Sequence, residues 1–466
     1  MRFFKALLVL AFVTVESGIP AGADAQSSIN LHALRGLVPF SVLRNTPAGQ
    51  AALASNYAVT GAIQTGSANQ PGLQAFGQQR EQALRDAFIT NGNALELADG
   101  LGTKLGGAYQ RLAAYASTDD GKTATFTSVS ANVATLIGYT ASLTAADAAS
   151  GKYFFGNETV VTSTAATPVS KEAADILQAA GGTTDVFGKA YHLPAGSKGA
   201  DPYGDSRPFQ TEAKFADYSG VDYFGVAASN DDYLKGPIQS LTASPSFPSG
   251  HTTYGYTESL LLALLVPERF AQMIARGAEY GNSRIVLGAH YAMDVIAGRT
   301  LAYYDVAHLL AEDPTYLGQK FGSFTIASYR AALLVAKADV TKALESSCGA
   351  AIAVCAADDT SRFSDPVTTG AFYESTQTYG LPAVYPAVAR NVEDVAALAP
   401  EAGYLLTAAF PNLTLAQADL ILTATEGPGG GFLDNGSAFG LYSRLDLYKA
   451  GEIAESLQSA AGQRRR

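Results

Sequence analysis

Histidine and cysteine are scarce in this chain of 466 residues, with five of the first and two of the second. So thin a supply of imidazole and thiolate leaves no Cys/His cluster with zinc spacing, which excludes a structural zinc module. Long apolar runs are lacking beyond the N-terminus. Even Leu260–Val266 is bounded by Glu258 and by Pro267-Glu268-Arg269, far short of the ~20 residues a membrane span requires, so no stable membrane insertion is expected of the mature protein. Positive charge is also short: 31 basic residues against 42 acidic ones give a net charge of -11. Nucleic acid and anionic membranes need basic patches, and the one basic cluster, Arg464-Arg465-Arg466, reads as a solvated tail. No internal repeat is visible.

What is present is ordinary globular material, 47% apolar and 16% charged, long enough for two or three structural units. At the N-terminus, Arg2 and Lys5 precede or enter a short apolar run, Phe3–Val15, and Ala23-Asp24-Ala25 stands before Gln26. A positive start, a short apolar core and a small-x-small site predict an export signal over 1–25 and a periplasmic or secreted protein. Cysteine usage agrees. Cys348 and Cys355 are separated by six residues, a spacing unlike the C-x-x-C of redox pairs. In an oxidising compartment they are expected to close a small structural disulfide loop.

Helical periodicity dominates. Apolar residues recur at Leu84, Ala87, Phe88, Leu95, Ala98, Leu101, Leu105, Ala108 and Leu112, broken near Asn91-Gly92-Asn93, which predicts two helices and a turn. Further helices are expected at Lys171–Ala180, between Ser170 and Gly181-Gly182, at Tyr254–Val266, Glu268–Tyr280, Tyr291–Ala311 and Ser323–Ser346, and at Leu415–Thr425 starting from Thr414. The best strand signal is the Thr-rich alternation of Lys122–Ser130. Residues Gly181–Asp232, rich in Gly, Pro, Asp and Tyr, read as one long connection of the kind that often carries function. The turn Gly427–Gly431 lacks the strand before it and the Lys-Ser/Thr after it that a phosphate-cradling loop needs, so it reads as a plain loop.

Chemistry concentrates between Arg207 and Asp294. Pro248-Ser249-Gly250-His251 precedes an apolar helical run, so it forms a helix N-terminus, where free N–H groups favour an anion and Gly250 lets one approach. Ser249 could donate its hydroxyl there, and His251 could protonate a leaving alkoxide. In His290-x-x-x-Asp294 the carboxylate, one turn on, can hold one ring nitrogen and leave the other nucleophilic. Arg207 and Arg284 could grip oxyanion oxygens in bidentate fashion. Taken singly, each element has a plain structural reading: a turn, a surface His–Asp pair, a salt bridge. The three in this order argue for chemistry.

The stretch Pro245–Arg299, through Pro-Ser-Phe-Pro-Ser-Gly-His, Arg276-Gly277-Ala278-Glu279-Tyr280-Gly281-Asn282-Ser283-Arg284, Gly288-x-His290, Asp294-Val295 and Arg299, resembles the bacterial class A nonspecific acid phosphatases. These belong to the phosphatidic-acid phosphatase type 2 superfamily, which also holds the vanadium haloperoxidases. The resemblance implies a mainly α fold, a helical bundle of the acid phosphatase/vanadium haloperoxidase type with extra N- and C-terminal helical regions. It also implies metal-independent hydrolysis of phosphomonoesters through a phosphohistidine, with no cofactor. His290 would be the nucleophile, Asp294 its orienter and His251 the general acid, with Arg207, Arg284, Ser249 and the Gly250 backbone on the phosphoryl oxygens. The family's first motif is a lysine, six intervening residues, then Arg-Pro. The lysine position is Ala200 here, and Lys198, with eight residues between it and Arg207, is the nearest candidate.

The resulting division is an export signal (1–25), an N-terminal helical region (26–197), a catalytic core (198–312) and a C-terminal region packed on or beside it (313–466). The outer regions are compatible with a homo-oligomer. The expected partner is a small soluble phosphomonoester. Two other readings stay open: a vanadium-dependent haloperoxidase using the same cradle for vanadate, and a non-catalytic phosphate-binding protein, against which the intact pair His251 and His290 counts.

Overall fold

A computed structural model of the chain describes residues 30–37, 40–88, 92–113, 115–117, 124–157, 159–161, 166–168, 197–199, 204–212 and 214–464, together with 171, 175, 176 and 179. The expected export signal and most of the expected helix at Lys171–Ala180 lie outside the described residues. The protein is mainly α. Its longer helices are α1 (Pro47–Thr65), α2 (Phe76–Arg85), α3 (Thr103–Leu112) and α4 (Ala131–Asn157). The short α5 (Pro208–Thr211) leads to the central α6 (Gly250–Leu265), α7 (Phe270–Leu287) and α8 (Ala292–Leu310). Beyond them come α9 (Tyr329–Cys348), α10 (Pro366–Thr378), α11 (Leu415–Ala424) and α12 (Leu447–Arg464). Among the described residues the strands form three antiparallel hairpins: Tyr115–Ser117 with Ala124–Phe126, Thr159–Val161 with Ala166–Pro168, and Ser219–Val221 with Ala227–Ser229.

The centre is α6, α7 and α8, packed on one another and covered on every side. Helix α6 is apolar all round from Leu260 to Leu265, the pattern of a helix with no solvent face, and each of those residues is buried. Helices α4 and α9 cover α6, α2 covers α7 from the N-terminal side, and α10 and α12 cover it from the C-terminal side. Arg299 of α8 is buried and donates to the carbonyls of Thr376, Gln377 and Ser443 at 2.9–3.2 Å, tying the C-terminal region to the central helix.

Local signals set the boundaries. Ser249, Ser328, Thr46, Asp365 and Thr414 each cap a following helix with a side-chain oxygen, satisfying N–H groups that have no partner within the helix. Helix α11 therefore starts where Thr414 predicts. Cys348 and Cys355 are bonded to each other.

Three expectations need correction. The helix expected to stop at Tyr280 runs on to Leu287, because Gly281 is a packing position rather than a stop: a Cβ there would stand 3.0 Å from both Tyr256 and Val295. The connection at 181–232 is not featureless; its described part carries α5, the hairpin Ser219–Val221/Ala227–Ser229 and a short helix at Asn230–Leu234. Of the strand expected at 122–130, the described part, 124–130, is strand over Ala124–Phe126, and Ala131 then opens the 27-residue α4, whose mixture of Ala, Thr, Ser and Gly has too little periodicity to announce it.

Candidate active site

The Pro-Ser-Gly-His run sits at the N-terminus of α6, as its sequence predicts. Ser249 is the cap: its Oγ accepts from Thr252 N at 3.2 Å, which leaves the hydroxyl proton to donate elsewhere. A Cβ at Gly250 would meet nothing within 4 Å, so the backbone at the first helical position is open to approach. His251 follows, mostly buried. Ser249 N donates to the Asp294 carbonyl at 3.1 Å, and Gly298 lets α8 come close, since a Cβ there would stand 2.6 Å from Ser249 O. The start of α6 is thereby locked against the start of α8.

The turn between α7 and α8 delivers His290. Gly288 ends α7 with φ +90°, a conformation glycine adopts without strain. The Arg284 carbonyl then accepts from Ala289 N at 3.0 Å and from His290 N at 3.3 Å, so six residues of sequence become one turn of space. His290 is fully buried, and its Nδ1 lies 3.3 Å from Asp294 Oδ2. That oxygen also accepts from Tyr291 N at 2.9 Å and from Ser246 Oγ at 2.5 Å, while Ser246 Oγ is 3.4 Å from His290 Nδ1. The His251 and His290 rings face each other with centroids 6.3 Å apart.

Arg207 is buried on the other side of the His290 ring. Its Nη1 lies 3.0 Å from His290 Nε2 and donates to Ala289 O at 2.9 Å. Its Nε donates to Ser244 O, and Nη2 to Ser244 Oγ and Pro245 O. Asp205 stitches the same segments, accepting from Phe247 N on its carboxylate at 2.9 Å and from Ser246 N on its carbonyl at 2.8 Å. Phe209 N donates to Gly288 O at 3.3 Å, which ties the Arg207 segment to the His290 turn.

Arg284 is buried, donates through Nη2 to the main-chain carbonyl of Asp86, and lies over the Tyr280 ring at 4.8 Å. Its Nε has no hydrogen-bond partner among the described residues. Burial pushes the Asp86 carboxyl up, but the adjoining Arg276 guanidinium outweighs it and holds the group down at about 2. Lys198 is exposed on a turn; the next residue, Gly199, lies against the Gln210 carbonyl beside α5. The structure thus brings together Arg207, Ser249, Gly250, His251, His290 and Asp294, ties the Arg284 carbonyl to the His290 turn with its guanidinium on the Asp86 carbonyl, and leaves Lys198 on the surface.

Sequence reasoning missed Ser246, Asp205 and Asp86. The first two stand inside runs that already drew attention, Pro245-Ser246-Phe247-Pro248 and Gly204-Asp205-Ser206-Arg207. A polar residue next to such a motif was the available signal. For Asp86, far upstream, there was none.

These features define a class: a mainly α protein whose central helices present a buried histidine, held by a carboxylate on one side and an arginine on the other, and opposite a second histidine at a helix N-terminus. That arrangement can hold an oxyanion and attack it. Residues 200–311 match the model of the PAP2 superfamily, and the family resemblance seen in the motifs holds. The chain is 31% identical over 148 residues to a non-specific acid phosphatase of Providencia stuartii, covering 29% of this chain and 58% of that one. It is 45% identical over 71 residues to an acid phosphatase of Zymomonas mobilis, covering 15% and 27%, and 42% identical over 62 residues to a lipid A 1-phosphatase of Rhizobium johnstonii, covering 13% and 25%. The chain therefore spans between a quarter and three fifths of the length of these relatives.

Proposed function

We propose that the protein is an exported acid phosphatase that hydrolyses soluble phosphomonoesters through a phosphohistidine, without a metal or cofactor. The observation that carries this reading is the His290 ring, with Nδ1 toward Asp294 and Nε2 toward Arg207. A guanidinium only donates, so Nε2 is the nitrogen that keeps its lone pair.

In the first half-reaction, His290 Nε2 forms a bond to phosphorus as the bond from phosphorus to the ester oxygen breaks. Protonated His251 gives its proton to the departing alkoxide. Arg207, Arg284, the Ser249 hydroxyl and the Gly250 amide hold the equatorial oxygens as charge spreads onto them. A water then attacks phosphorus and gives a proton to His251, the N–P bond breaks, and phosphate leaves with His290 restored. Lys198, exposed in this structure, enters the scheme only if its turn moves toward Arg207. The Cys348–Cys355 disulfide supports export to the periplasm or beyond, since such bonds persist in oxidising compartments.

The test is hydrolysis of para-nitrophenyl phosphate from acidic to neutral pH by the mature protein and by His290→Ala, each checked for folding. Turnover lost in the variant, vanadate inhibition and full activity in chelator are the expected results. Activity abolished by chelator and restored by a divalent ion would overturn the mechanism. Bromide oxidation by peroxide after vanadate loading, with no phosphatase turnover, would replace it with the haloperoxidase reading.

A further inference from the structure

The N-terminal region lies outside the matched segment 200–311, yet it reaches the site: α1 binds the start of α8 through Thr60 and Asn56, and the residues after α2 hold α7. Residues 86–88 grip α7 along a single face. The Asp86 carboxylate takes the fork of Arg276, Nη2 to Oδ1 at 2.6 Å and Nη1 to Oδ2 at 3.1 Å. It also accepts from Ser283 Oγ at 2.8 Å, while the Asp86 carbonyl accepts from Arg284 Nη2. The Phe88 carbonyl accepts from Tyr280 OH at 3.4 Å, and the Tyr280 ring lies under the Arg284 guanidinium. Residues 276, 280, 283 and 284 recur at three and four, so they form one stripe of the helix.

We propose that Asp86 is the positioning residue for Arg284: its carbonyl holds the guanidinium, and its carboxylate, bound to Arg276 and Ser283, fixes that carbonyl against α7, so the N-terminal region completes the phosphate cradle. This rests on the reading that Arg284 grips the phosphoryl group. With Nη2 held by the Asp86 carbonyl, the guanidinium cannot rotate freely about its own side chain. Its Nε, buried and without a hydrogen-bond partner among the described residues, is the donor a bound oxyanion oxygen takes. Asp86 is itself fixed, fully buried and further held by Gln82 Nε2 on Oδ1 at 2.8 Å. Replacing its charge does not strand Arg276, which keeps Asp99 at 2.7 Å and Glu279 at 3.4 Å. Asp86→Asn is therefore expected to fold.

A displaced phosphate-holding group costs on the order of tenfold to a hundredfold in rate. Folded Asp86→Asn should thus lose roughly tenfold or more in kcat/KM for para-nitrophenyl phosphate, with weakened inhibition by vanadate. A merely structural role does not predict the second readout, coupling to Arg284. Once Arg284→Lys has removed the fork, adding Asp86→Asn should change kcat/KM by less than about twofold. Losses that multiply in the double variant, or a folded Asp86→Asn with wild-type kinetics and vanadate inhibition, overturn the proposal. If Asp86→Asn does not fold, Ser283→Ala gives the same readout at smaller amplitude, and wild-type behaviour there overturns it equally. If the wild-type protein shows no turnover, the phosphatase reading fails separately. Calorimetry with inorganic phosphate then decides the role of Asp86, with affinity lower in Asp86→Asn supporting it and equal affinity refuting it.

Discussion

Arg207 Nη1 and His290 Nε2 stand 3.0 Å apart, and because a guanidinium carries no acceptor, this contact assigns the histidine's tautomer. The ring proton sits on Nδ1, facing Asp294 Oδ2 and Ser246 Oγ. The lone pair sits on Nε2, and in the proposed mechanism an incoming phosphoryl oxygen takes over the Nη1 donor as the phosphorus reaches that nitrogen.

Asp294→Asn removes the charge that favours this tautomer and stabilises the ring as it gains positive character. Loss of the orienting carboxylate in catalytic triads lowers kcat by about 10⁴, and a fall of roughly 10²–10⁴ is expected here by the same logic. The amide oxygen can still accept from Tyr291 N, which Asp294 now binds at 2.9 Å, so the melting temperature should move little. A variant with near-normal kcat would mean that Asp294 does not orient the nucleophile.

Ser246→Ala tests a residue the motif reading passed over. Its hydroxyl holds Asp294 Oδ2 at 2.5 Å, a bond to a charged group worth about 1.5–3 kcal/mol. The expected outcome is a loss of stability of that order and a kcat reduced less than in Asp294→Asn. A steady-state comparison of the two variants, with urea unfolding, checks both parts.

Two buried carboxyls give opposite pH dependences. Burial first, and then the charge of Asp86, push the Glu96 carboxyl well above its ordinary range. Its contribution to stability is fully present below the unfolded value and is lost as pH rises through the folded one. Asp86, held at about 2 by Arg276 against the effect of burial, contributes stability above its ordinary value that is lost as pH falls through about 2. Glu96→Gln should therefore flatten the alkaline limb of a plot of Tm against pH and leave the acid limb alone. An unchanged alkaline limb would show that Glu96 ionises freely in the folded protein.

Arg299→Ala should be severely destabilising. Three carbonyls of the C-terminal region lose their buried donor, at about 1–3 kcal/mol for each group left unsatisfied. Because Phe432 of that region also packs against Phe247 of the site segment, centroids 6.3 Å apart, activity should fall together with the melting temperature. Loss of activity at unchanged stability would instead point to Arg299 acting on the site directly.

Reduction of Cys348–Cys355 is a milder perturbation. The bond joins residues seven apart in sequence, and loop-closure entropy for so short a loop amounts to about 2–2.5 kcal/mol. A small drop in melting temperature with activity retained is expected, since the pair lies at the end of α9, away from the histidines. Complete inactivation by reductant would contradict a purely structural bond.

Much of the candidate site is legible in the sequence. Ser249, Gly250, His251, Arg284, His290 and Asp294 announce themselves because oxyanion chemistry needs those groups at helix ends, and helix ends have local signatures: a Ser cap, a Gly stop, a carboxylate one turn into the next helix. The same locality explains why α11 begins where Thr414 predicts; α4 has a Ser130 cap, whose Oγ accepts from Val133 N at 3.2 Å, but no clear apolar stripe in its sequence to mark the helix that follows. The end of α7 is not legible past Tyr280, because the glycine that follows, a packing position against Tyr256 and Val295, breaks the apolar pattern without ending the helix.

By itself the sequence determined the helical class and the candidate site groups with their order, since each depends on residues within a turn or two of one another. Tertiary structure alone decided the tautomer of His290, through an arginine 83 residues upstream, and the place of Arg284, through a carbonyl 198 residues upstream. It also decided that Lys198 lies exposed while Arg207 is buried. Hydrogen bonds and burial between distant segments follow from how whole helices pack, and side-chain packing leaves no periodic or spacing signal in either partner's own stretch of chain.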